Sequence, residues 1–437
     1  MLFIKQHLIC IILLLSNIFT YSQTNRFKKQ ALEEFKSEHY HKAIASMERA
    51  LKESPQDPEI FYYLGLFNHY RAYDSRLLKD YDISYSKKIF EYLDKAIQLK
   101  PDFGNARYFY GAECSANAFN AMQAGNPEKV KHYYRKAFKK GAYPPWLLEF
   151  GRNMLNSCDK NAILFTGGNA DFDICMYLQL HENLRKDIRI IPLGHIDRPW
   201  YVLLLKNGLP GVVQKTTIRL SEAQILNLHP FKWETTTVEI ALNEEQKKQY
   251  NLNKDATLAW EIAPDLQSGR QHAKIESEEI KPRTYLSPQH AMLLQIVEDN
   301  MASRPIYFSN LSNPYFFAGL DPYLSNCGLV SRLLPITTEK TDYKWSFHHL
   351  KELFKENNLE ELSTIKNTDI PRISNLIYNY YYGIINYAVY LKKTKEFTKM
   401  EELEKLYQKH MLIDYDKRLE NIIGEQLKKL STPDELL

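Results

Sequence analysis

The sequence lacks most features that would assign it to a specialised class of protein. Its 437 residues include only 16 glycines, 19 prolines and 5 cysteines, which excludes collagen-like and low-complexity chains. The cysteines are widely spaced and form no CxxC pair, so neither a zinc ribbon nor a redox dithiol is expected. The formal net charge of +4 is small for this length and predicts no nucleic-acid partner.

The remaining composition is that of a soluble globular protein. Apolar residues make up 44% of the chain and charged residues 25%, while aromatics are high at 13%, mostly tyrosine and phenylalanine. A chain of this length suits two or three compact units.

The N-terminus has the pattern of an export signal. Lys5 precedes the apolar run LICIILLL at residues 8–15, which is too short to span a bilayer but has the length of a secretory core segment. Thr20 and Ser22 are small residues at the −3 and −1 positions, so residues 1–22 are predicted to be cleaved between Ser22 and Gln23. An uncleaved anchor is the alternative. From the predicted cleavage we expect a periplasmic or secreted protein that contacts membranes only peripherally.

Cysteine usage after this signal leaves the disulfide question open. Cys10 lies inside the apolar run without a lipobox, so no lipid anchor is expected. Export permits disulfides between Cys114, Cys158, Cys175 and Cys327, but buried free thiols fit equally well, and no pairing is predicted.

Residues 23–150 show a helical repeat with a period of about 34 residues. Small residues such as Ala43, Gly65 and Gly111 recur where neighbouring helices would approach closely, with large apolar residues three or four positions away. The segment resembles tetratricopeptide repeats. This resemblance implies three helix pairs whose concave face binds a peptide or a partner domain, or, as the alternative, a structural support that binds nothing.

Residues 151–340 change period and predict an α/β domain with a partly parallel sheet. A strand at 161–166, a helix at 172–184 and a strand at 187–193 form a βαβ unit, so the two strands should be parallel. Alternation of apolar and polar residues predicts strands at 235–242 and 256–262, which belong to a β-rich insertion or to the edge of the sheet. Ser287 followed by Pro288 predicts a helix start, and the segment RPIYF at 304–308 predicts a further strand.

Residues 341–437 return to helical periodicity. Helices are predicted at 343–355, 371–393 and 397–410, and the last two resemble a degenerate tetratricopeptide pair. The tail from 431 is expected to fray.

Polar side chains follow the two predicted parallel strands and form the first candidate site. Because ligands bind beyond the carboxyl ends of parallel strands, these side chains could bind a sugar or a hard cation. The residues are Asn169, Asp171, Asp173, His195 and Asp197. The alternative is that Asp171 caps the following helix and that His195 and Asp197 are turn residues.

The two glycines before this helix suggest a further role for the same loop. Gly167 and Gly168 would let backbone N–H groups approach an anion near the helix start. The loop lacks the spacing of a nucleotide-binding motif.

Two arginines and an aromatic segment are the other candidates for ligand binding. Arg304 and Arg332 could receive an acidic ligand, although an ion pair or a cap on backbone carbonyls is the alternative. The segment NPYFF at 313–317, with Tyr323, could stack on a sugar, but such clusters more often belong to the core.

Catalytic and metal-binding motifs are missing. Neither GxSxG nor HExxH occurs, so no catalytic residue is assigned. His348 and Glu352 lie one helical turn apart without an evident third ligand, so we interpret them as a solvated helix face and predict no metal and no cofactor.

Four segments of the middle region resemble a known family in order and spacing. They are NAILFTGGNADFDICMYLQ at 161–179, DIRIIPLGHIDRPWYVLLL at 187–205, RPIYFSN at 304–310 and GLDPYLSNCGLVSRLLPI at 319–336. They are similar to the soluble C-terminal portion of the bacterial membrane family described as protein O-mannosyltransferase-like.

The resemblance implies a shared soluble module and not the activity. The family's multi-span catalytic portion has no counterpart in this sequence, and its acidic loop is altered at Asn169, Ala170 and Phe172.

The sequence therefore predicts an α plus α/β protein with helical repeats before the sheet domain and helices after it. We expect an exported, non-catalytic scaffold or binding protein of the bacterial envelope, which engages a protein or a glycan-handling partner. The alternative is a carbohydrate-active, sugar-binding or metal-binding protein that uses the aspartate-lined crevice.

Overall fold

The computed structural model describes residues 24–74, 81–266, 283–337, 344–365, 374–413 and 416–432. The predicted signal peptide and its cleavage site lie outside these residues. The chain divides into two compact units, Met1–Ala124 with Glu128–Tyr143 and Gly125–Pro127 with Pro144–Leu437. The fold is mostly helical with a partly parallel sheet and C-terminal helices, which confirms the predicted α plus α/β class.

The described residues of the first unit form a series of helices. They are α1 (24–36), α2 (Tyr40–Glu53), α3 (Pro58–Asp74), α4 (Ser86–Leu99), α5 (Gly104–Gln123) and α6 (Pro127–Lys139). Two glycines are buried at close contacts: a Cβ atom built on Gly65 of α3 would lie 2.7 Å from Leu93 of α4, and one built on Gly111 of α5 would lie 2.9 Å from Ala142 in the turn after α6. The close approach of these segments therefore depends on glycine at both positions.

A buried polar network joins α3 to α5 in the same unit. The Glu113 carboxylate is fully buried and contacts His69 Nδ1 at 2.8 Å, and the Tyr81 hydroxyl donates to the same carboxylate oxygen. Asn117 Nδ2 donates to Glu113 Oε1 at 3.0 Å and to Ser86 Oγ at 2.9 Å. Burial raises the pKa of Glu113, but the hydrogen bonds and the charge of His69 outweigh it and leave the pKa lowered.

The second unit begins with a helix and the predicted βαβ arrangement. Its elements are α7 (Pro145–Asn156), β1 (Ile163–Thr166), α8 (Ile174–His181), β2 (Arg189–Pro192) and α9 (Pro199–Asn207). Strands β1 and β2 are parallel, with Leu164 opposite Ile190, as the sequence predicts. Gly151 of α7 packs against Ile174 and Leu178 of α8, where a Cβ atom would lie 2.4 Å from Ile174.

The rest of this unit completes the sheet and adds two small ones. The elements are α10 (Glu222–Leu226), β3 (Phe231–Lys232), β4 (Thr236–Ala241), α11 (Glu244–Gln249), β5 (Thr257–Ile262), β6 (Tyr285–Leu286), α12 (Pro288–Asn300), β7 (Ile306–Ser309), β8 (Leu324–Asn326) and β9 (Val330–Leu333). The main sheet has the order β2-β1-β7-β9-β8, with β7 parallel to β1 and antiparallel to β9. The predicted strands β4 and β5 form a separate antiparallel pair and not an edge of the main sheet, and the Ser287 side chain caps α12 as expected.

In the described part of the chain, four helices follow the sheet: α13 (Lys344–Leu353), α14 (Ser374–Lys393), α15 (Phe397–Leu406) and α16 (Lys417–Ser431). Helix α16 was not predicted from the sequence. These helices lie in the same compact unit as the sheet. Gly328 after β8 leaves room for Leu353, Gly383 of α14 packs on Phe354, and Asn153 Nδ2 of α7 donates to the Tyr380 hydroxyl at 3.0 Å.

The four cysteines of the described residues are buried thiols. Across the described part of the chain, no helix is both long and apolar enough to cross a bilayer.

Candidate functional site

The loop after β1 folds around its own carboxylate. Asp171 Oδ2 accepts the Gly167 N–H at 2.7 Å, and Oδ1 accepts the Gly168 N–H at 2.8 Å and the Phe172 N–H at 2.9 Å. Burial raises the pKa of Asp171, while these backbone bonds and the Ser309 hydroxyl act in the opposite direction. The backbone donors that the sequence assigns to an external anion therefore bind the chain's own aspartate.

The remaining polar residues near the carboxyl ends of the strands lie in different environments. Asn169 and Asp173 begin and end the wide helical turn that precedes α8; Asn169 is partly exposed and Asp173 is buried. Asp197 Oδ1 lies 4.0 Å from the neighbouring Arg198 side chain. The His195 ring contacts Tyr201 with 5.7 Å between centroids, and burial, with the nearby Arg198, lowers the pKa of His195 well below its usual value.

Both candidate arginines make polar contacts within the protein. Arg332 Nη1 forms an ion pair with Asp159 Oδ2 at 2.7 Å, and Arg304 Nη1 donates to the Asn161 carbonyl at 2.9 Å. These contacts are those of the structural alternative, an ion pair and a carbonyl cap.

The aromatic segment after β7 is divided between the core and the surface. In the turn Pro314–Phe317, Phe317 is buried against Phe308, whereas Tyr315 is 45% exposed and its hydroxyl donates to Asp265 Oδ2 at 3.1 Å. Tyr323 donates to the Ala259 carbonyl at 2.6 Å.

A polar cleft lies at the opposite edge of the sheet, beside the amino ends of β1 and β2. Its volume is about 900 Å³, which is within the range of small-ligand sites. The cleft is lined by Asn153, Asn156, Ser157, Cys158, Asp159, Lys160, Arg185, Asp187, His348, His349, Glu352, Leu353, Lys355, Asn357 and Asn358. We call this set the polar cleft.

One arginine orders the turn at residues 155–159, which we call the floor of the polar cleft. Arg185 contacts both carboxylate oxygens of Asp187 at 3.0 Å and donates to the carbonyls of Leu155, Cys158 and Asp159 at 2.8–3.0 Å. The same pairing lowers the pKa of Asp187 to about 2, because Arg185 stabilises the charged carboxylate. The guanidinium thus fixes the turn between α7 and β1 before any ligand arrives.

A second polar contact joins the turn to α13. Asp159, already paired with Arg332, lies 3.9 Å from His349 Nε2, and its N–H donates to the Tyr307 hydroxyl at 3.3 Å. Burial lowers the pKa of His349, although the charge of Asp159 opposes this shift. A mostly neutral imidazole therefore faces the cleft at pH 7.

Of the residues that line this cleft, the sequence drew attention to His348 and Glu352 alone as candidate metal ligands. His348 is exposed and Glu352 is partly exposed, as expected for a solvated helix face, and this face forms one wall. Asp159, Arg185 and Asn156 carry no motif. Their signal was the polar run that precedes a predicted buried strand, but such runs are common in loops.

The described residues offer no group of three or more His, Cys, Asp or Glu side chains that could hold a metal ion.

Comparison with known proteins gives one match. The family model for TMEM260-associated domain 2 matches residues 147–209 and 241–351, about two fifths of the chain. The matched residues include the four sequence segments described above and two walls of the polar cleft. Neither the curated proteins nor the solved structures yield a significant match.

Proposed function

We propose that this chain is an exported, non-catalytic binding or scaffold protein of the bacterial envelope, which engages a protein or glycan-handling partner through its N-terminal helices. The observation that carries the proposal is a pair of exposed aromatic side chains on α3. Tyr70 is 40% exposed and Tyr73 is 41% exposed, and residues three apart on a helix share a face.

Both tyrosine rings pack against other aromatic rings. The Tyr70 ring packs edge-on against Phe35 with 5.2 Å between centroids, and the Tyr73 ring packs against Tyr81 at 4.7 Å. Phe35 in turn stacks on the buried Phe67 at 4.6 Å. Aromatic side chains that are already ordered lose little entropy on binding, which is why tyrosine is frequent among interface anchors.

The sheet unit supports a non-catalytic role. The carboxylate of Asp171, in the loop predicted to bind a ligand, accepts hydrogen bonds from its own backbone, as described above. Burial raises the pKa values of the Cys158, Cys175 and Cys327 thiols, which makes them poor nucleophiles.

The family match supports the choice of a glycan-handling partner. It falls on the residues that resemble the O-mannosyltransferase-like family, and it includes no segment long and apolar enough to supply that family's membrane portion. We propose that the module has kept its place beside such machinery without the transferase activity.

Chemical cross-linking in cells, followed by mass spectrometry, tests the proposal. The wild-type chain should capture a specific envelope protein. The Tyr70→Ser, Tyr73→Ser double variant should capture at least tenfold less of that protein. A matched control is Tyr378→Ser with Tyr382→Ser, which removes two tyrosines of α14 that are 45% and 59% exposed. Equal capture by both double variants, or no specific partner with the wild-type chain, would contradict the proposal.

Export is tested separately by sequencing the N-terminus of the protein recovered from the envelope or the medium. We expect it to begin at Gln23.

A further inference from the structure

The polar cleft is balanced in charge. Its lining carries three carboxylates and three permanent cations, namely Asp159, Asp187 and Glu352 with Lys160, Arg185 and Lys355. Each carboxylate is already paired: Asp187 with Arg185, Glu352 with Lys355, and Asp159 with Arg332 beneath the lining. A cationic ligand would therefore have to compete with an existing ion pair, and the equal numbers of the two charges in the lining give no excess of positive charge to attract an anion.

The cleft also has few apolar side chains. Leu353 and the buried Cys158 are its apolar members, and its aromatic rings are two histidines. A hydrophobic ligand or a peptide with an apolar anchor residue would find little to bury here.

The cleft instead presents side-chain amide groups as hydrogen-bonding partners. Asn156 and Asn357 are exposed, and within the described residues neither side chain makes an internal hydrogen bond. A third amide, that of Asn153, is oriented by donation to the Asn358 carbonyl at 2.6 Å. An amide both donates and accepts, which matches a hydroxyl group, since a hydroxyl does the same.

The floor is held in place before binding. Arg185 donates to three carbonyl groups at the end of α7 and in the turn after it. Asn358 Nδ2 donates to the Glu352 carbonyl at 2.7 Å, which orders the segment after α13. Such ordering lowers the entropic cost of binding a small polar molecule.

From these observations we propose that the polar cleft is a binding site for a neutral, hydroxyl-rich ligand, and specifically for a short uncharged glycan. Asn156 of α7 and Asn357 of the segment after α13 bind its hydroxyl groups, and the exposed His348 adds a further contact. This site lies at the amino edge of the sheet and is distinct from the loop that contains Asp171. The inference deepens the proposed function by naming a ligand class, and rests on it only in that the chain acts by binding.

A glycan array that contains neutral and acidic oligosaccharides, probed with the purified chain, tests the inference. Uncharged glycans should be retained. Titration calorimetry with the glycan that binds best should show that the Asn156→Ala, Asn357→Ala double variant binds it at least about tenfold more weakly than the wild type does. The control is Asn253→Ala with Asn375→Ala, which removes two exposed asparagines outside the cleft. All four side chains are exposed, and thermal unfolding should be the same for both doubles.

Three outcomes would overturn the inference. They are retention of acidic glycans alone, equal affinity of the two double variants, and the absence of any retained neutral glycan. Binding of the uncharged peptide Gly-Ser-Asn with the same dependence on Asn156 and Asn357 would instead assign the cleft to peptides.

The test is independent of the partner experiment. The Tyr70→Ser, Tyr73→Ser variant should keep its glycan affinity, so loss of partner capture and loss of glycan binding can be told apart.

Discussion

The carboxylate of Asp171 accepts the backbone N–H of Gly167 at 2.7 Å, within a loop that the sequence presents as a ligand site. The same carboxylate accepts two further N–H groups, from Gly168 and Phe172. The aspartate is therefore the anion that these donors bind, and its role is to hold the turn between β1 and α8.

The first prediction concerns this turn. Asp171→Asn should lower the free energy of unfolding by about 2–4 kcal/mol, because an amide cannot accept from donors on both sides and leaves at least one buried N–H unpaired. Urea denaturation measures the change. Asp255→Asn, at an exposed aspartate, should change stability by less than about 0.5 kcal/mol. An Asp171→Asn variant of wild-type stability that had lost ligand binding would favour the ligand site instead.

The second prediction concerns the floor of the polar cleft. Arg185→Lys should destabilise the protein by about 2–3 kcal/mol, because a single ammonium cannot replace the guanidinium that contacts Asp187 and three carbonyl groups. Chemical denaturation gives the value.

Arg152→Lys is the matched control for Arg185→Lys. Arg152 also contacts both oxygens of a carboxylate, that of Glu182, but the pair is 39% and 33% exposed and should contribute at most about 1 kcal/mol. Equal effects of the two substitutions would mean that Arg185 does not organise the turn.

The third prediction is a pH dependence that arises from Glu149. Burial raises the pKa of this carboxyl group to about 7, although one oxygen accepts the Glu361 N–H at 3.0 Å. A folded-state pKa above the unfolded value of about 4.3 means that the group stabilises the fold in its protonated form. Its contribution is complete below about pH 4 and is lost as the pH rises through 7.

Glu149→Gln keeps the acceptor and removes the charge. The variant should melt at nearly the same temperature as the wild type at pH 5 and at a higher temperature at pH 8.5, as measured by calorimetry. Glu245→Gln, at an exposed glutamate, should show no such difference. A Glu149→Gln variant that is less stable than the wild type at pH 8.5 would show that the charged form is the stabilising one.

The fourth prediction concerns the approach of two helices in the first unit. Gly65→Ala places a methyl group about 2.7 Å from Leu93, so the leucine must shift and the free energy of unfolding should fall by about 1–3 kcal/mol. Gly194→Ala meets no atom within 4 Å and should be nearly neutral or slightly stabilising. If the two variants proved equally stable, helix packing in this unit would not depend on a small residue.

The periodic elements were accessible from the sequence because their signals are local. The parallel strands at Ile163 and Ile190, the helix start at Ser287 and the pair of strands near 236 and 262 all follow from apolar spacing and capping chemistry. Helix α16 was missed, although it carries an apolar stripe with Ile423 and Leu427 buried. The tetratricopeptide identity of the first unit remains a prediction that rests on residue spacing.

The candidate site was less accessible, because its parts are far apart in the chain. Asp159 and Arg332 are separated by 173 positions and meet only because β7 and β9 place Arg332 opposite Tyr307. The walls of the polar cleft come from α7, from the turn before β2 and from α13. No local pattern marks these residues as neighbours.

The sequence alone determined where the most regular helices and strands form, since the period of apolar residues depends only on backbone geometry and on which face is buried. It also limited the chemistry, because the familiar catalytic motifs are missing. The tertiary structure decided which polar groups are already used and which remain open to a ligand. That distinction depends on partners brought together by packing: Asp171 binds its own backbone, whereas Asn156 and Asn357 face a cleft formed by segments about 200 residues apart.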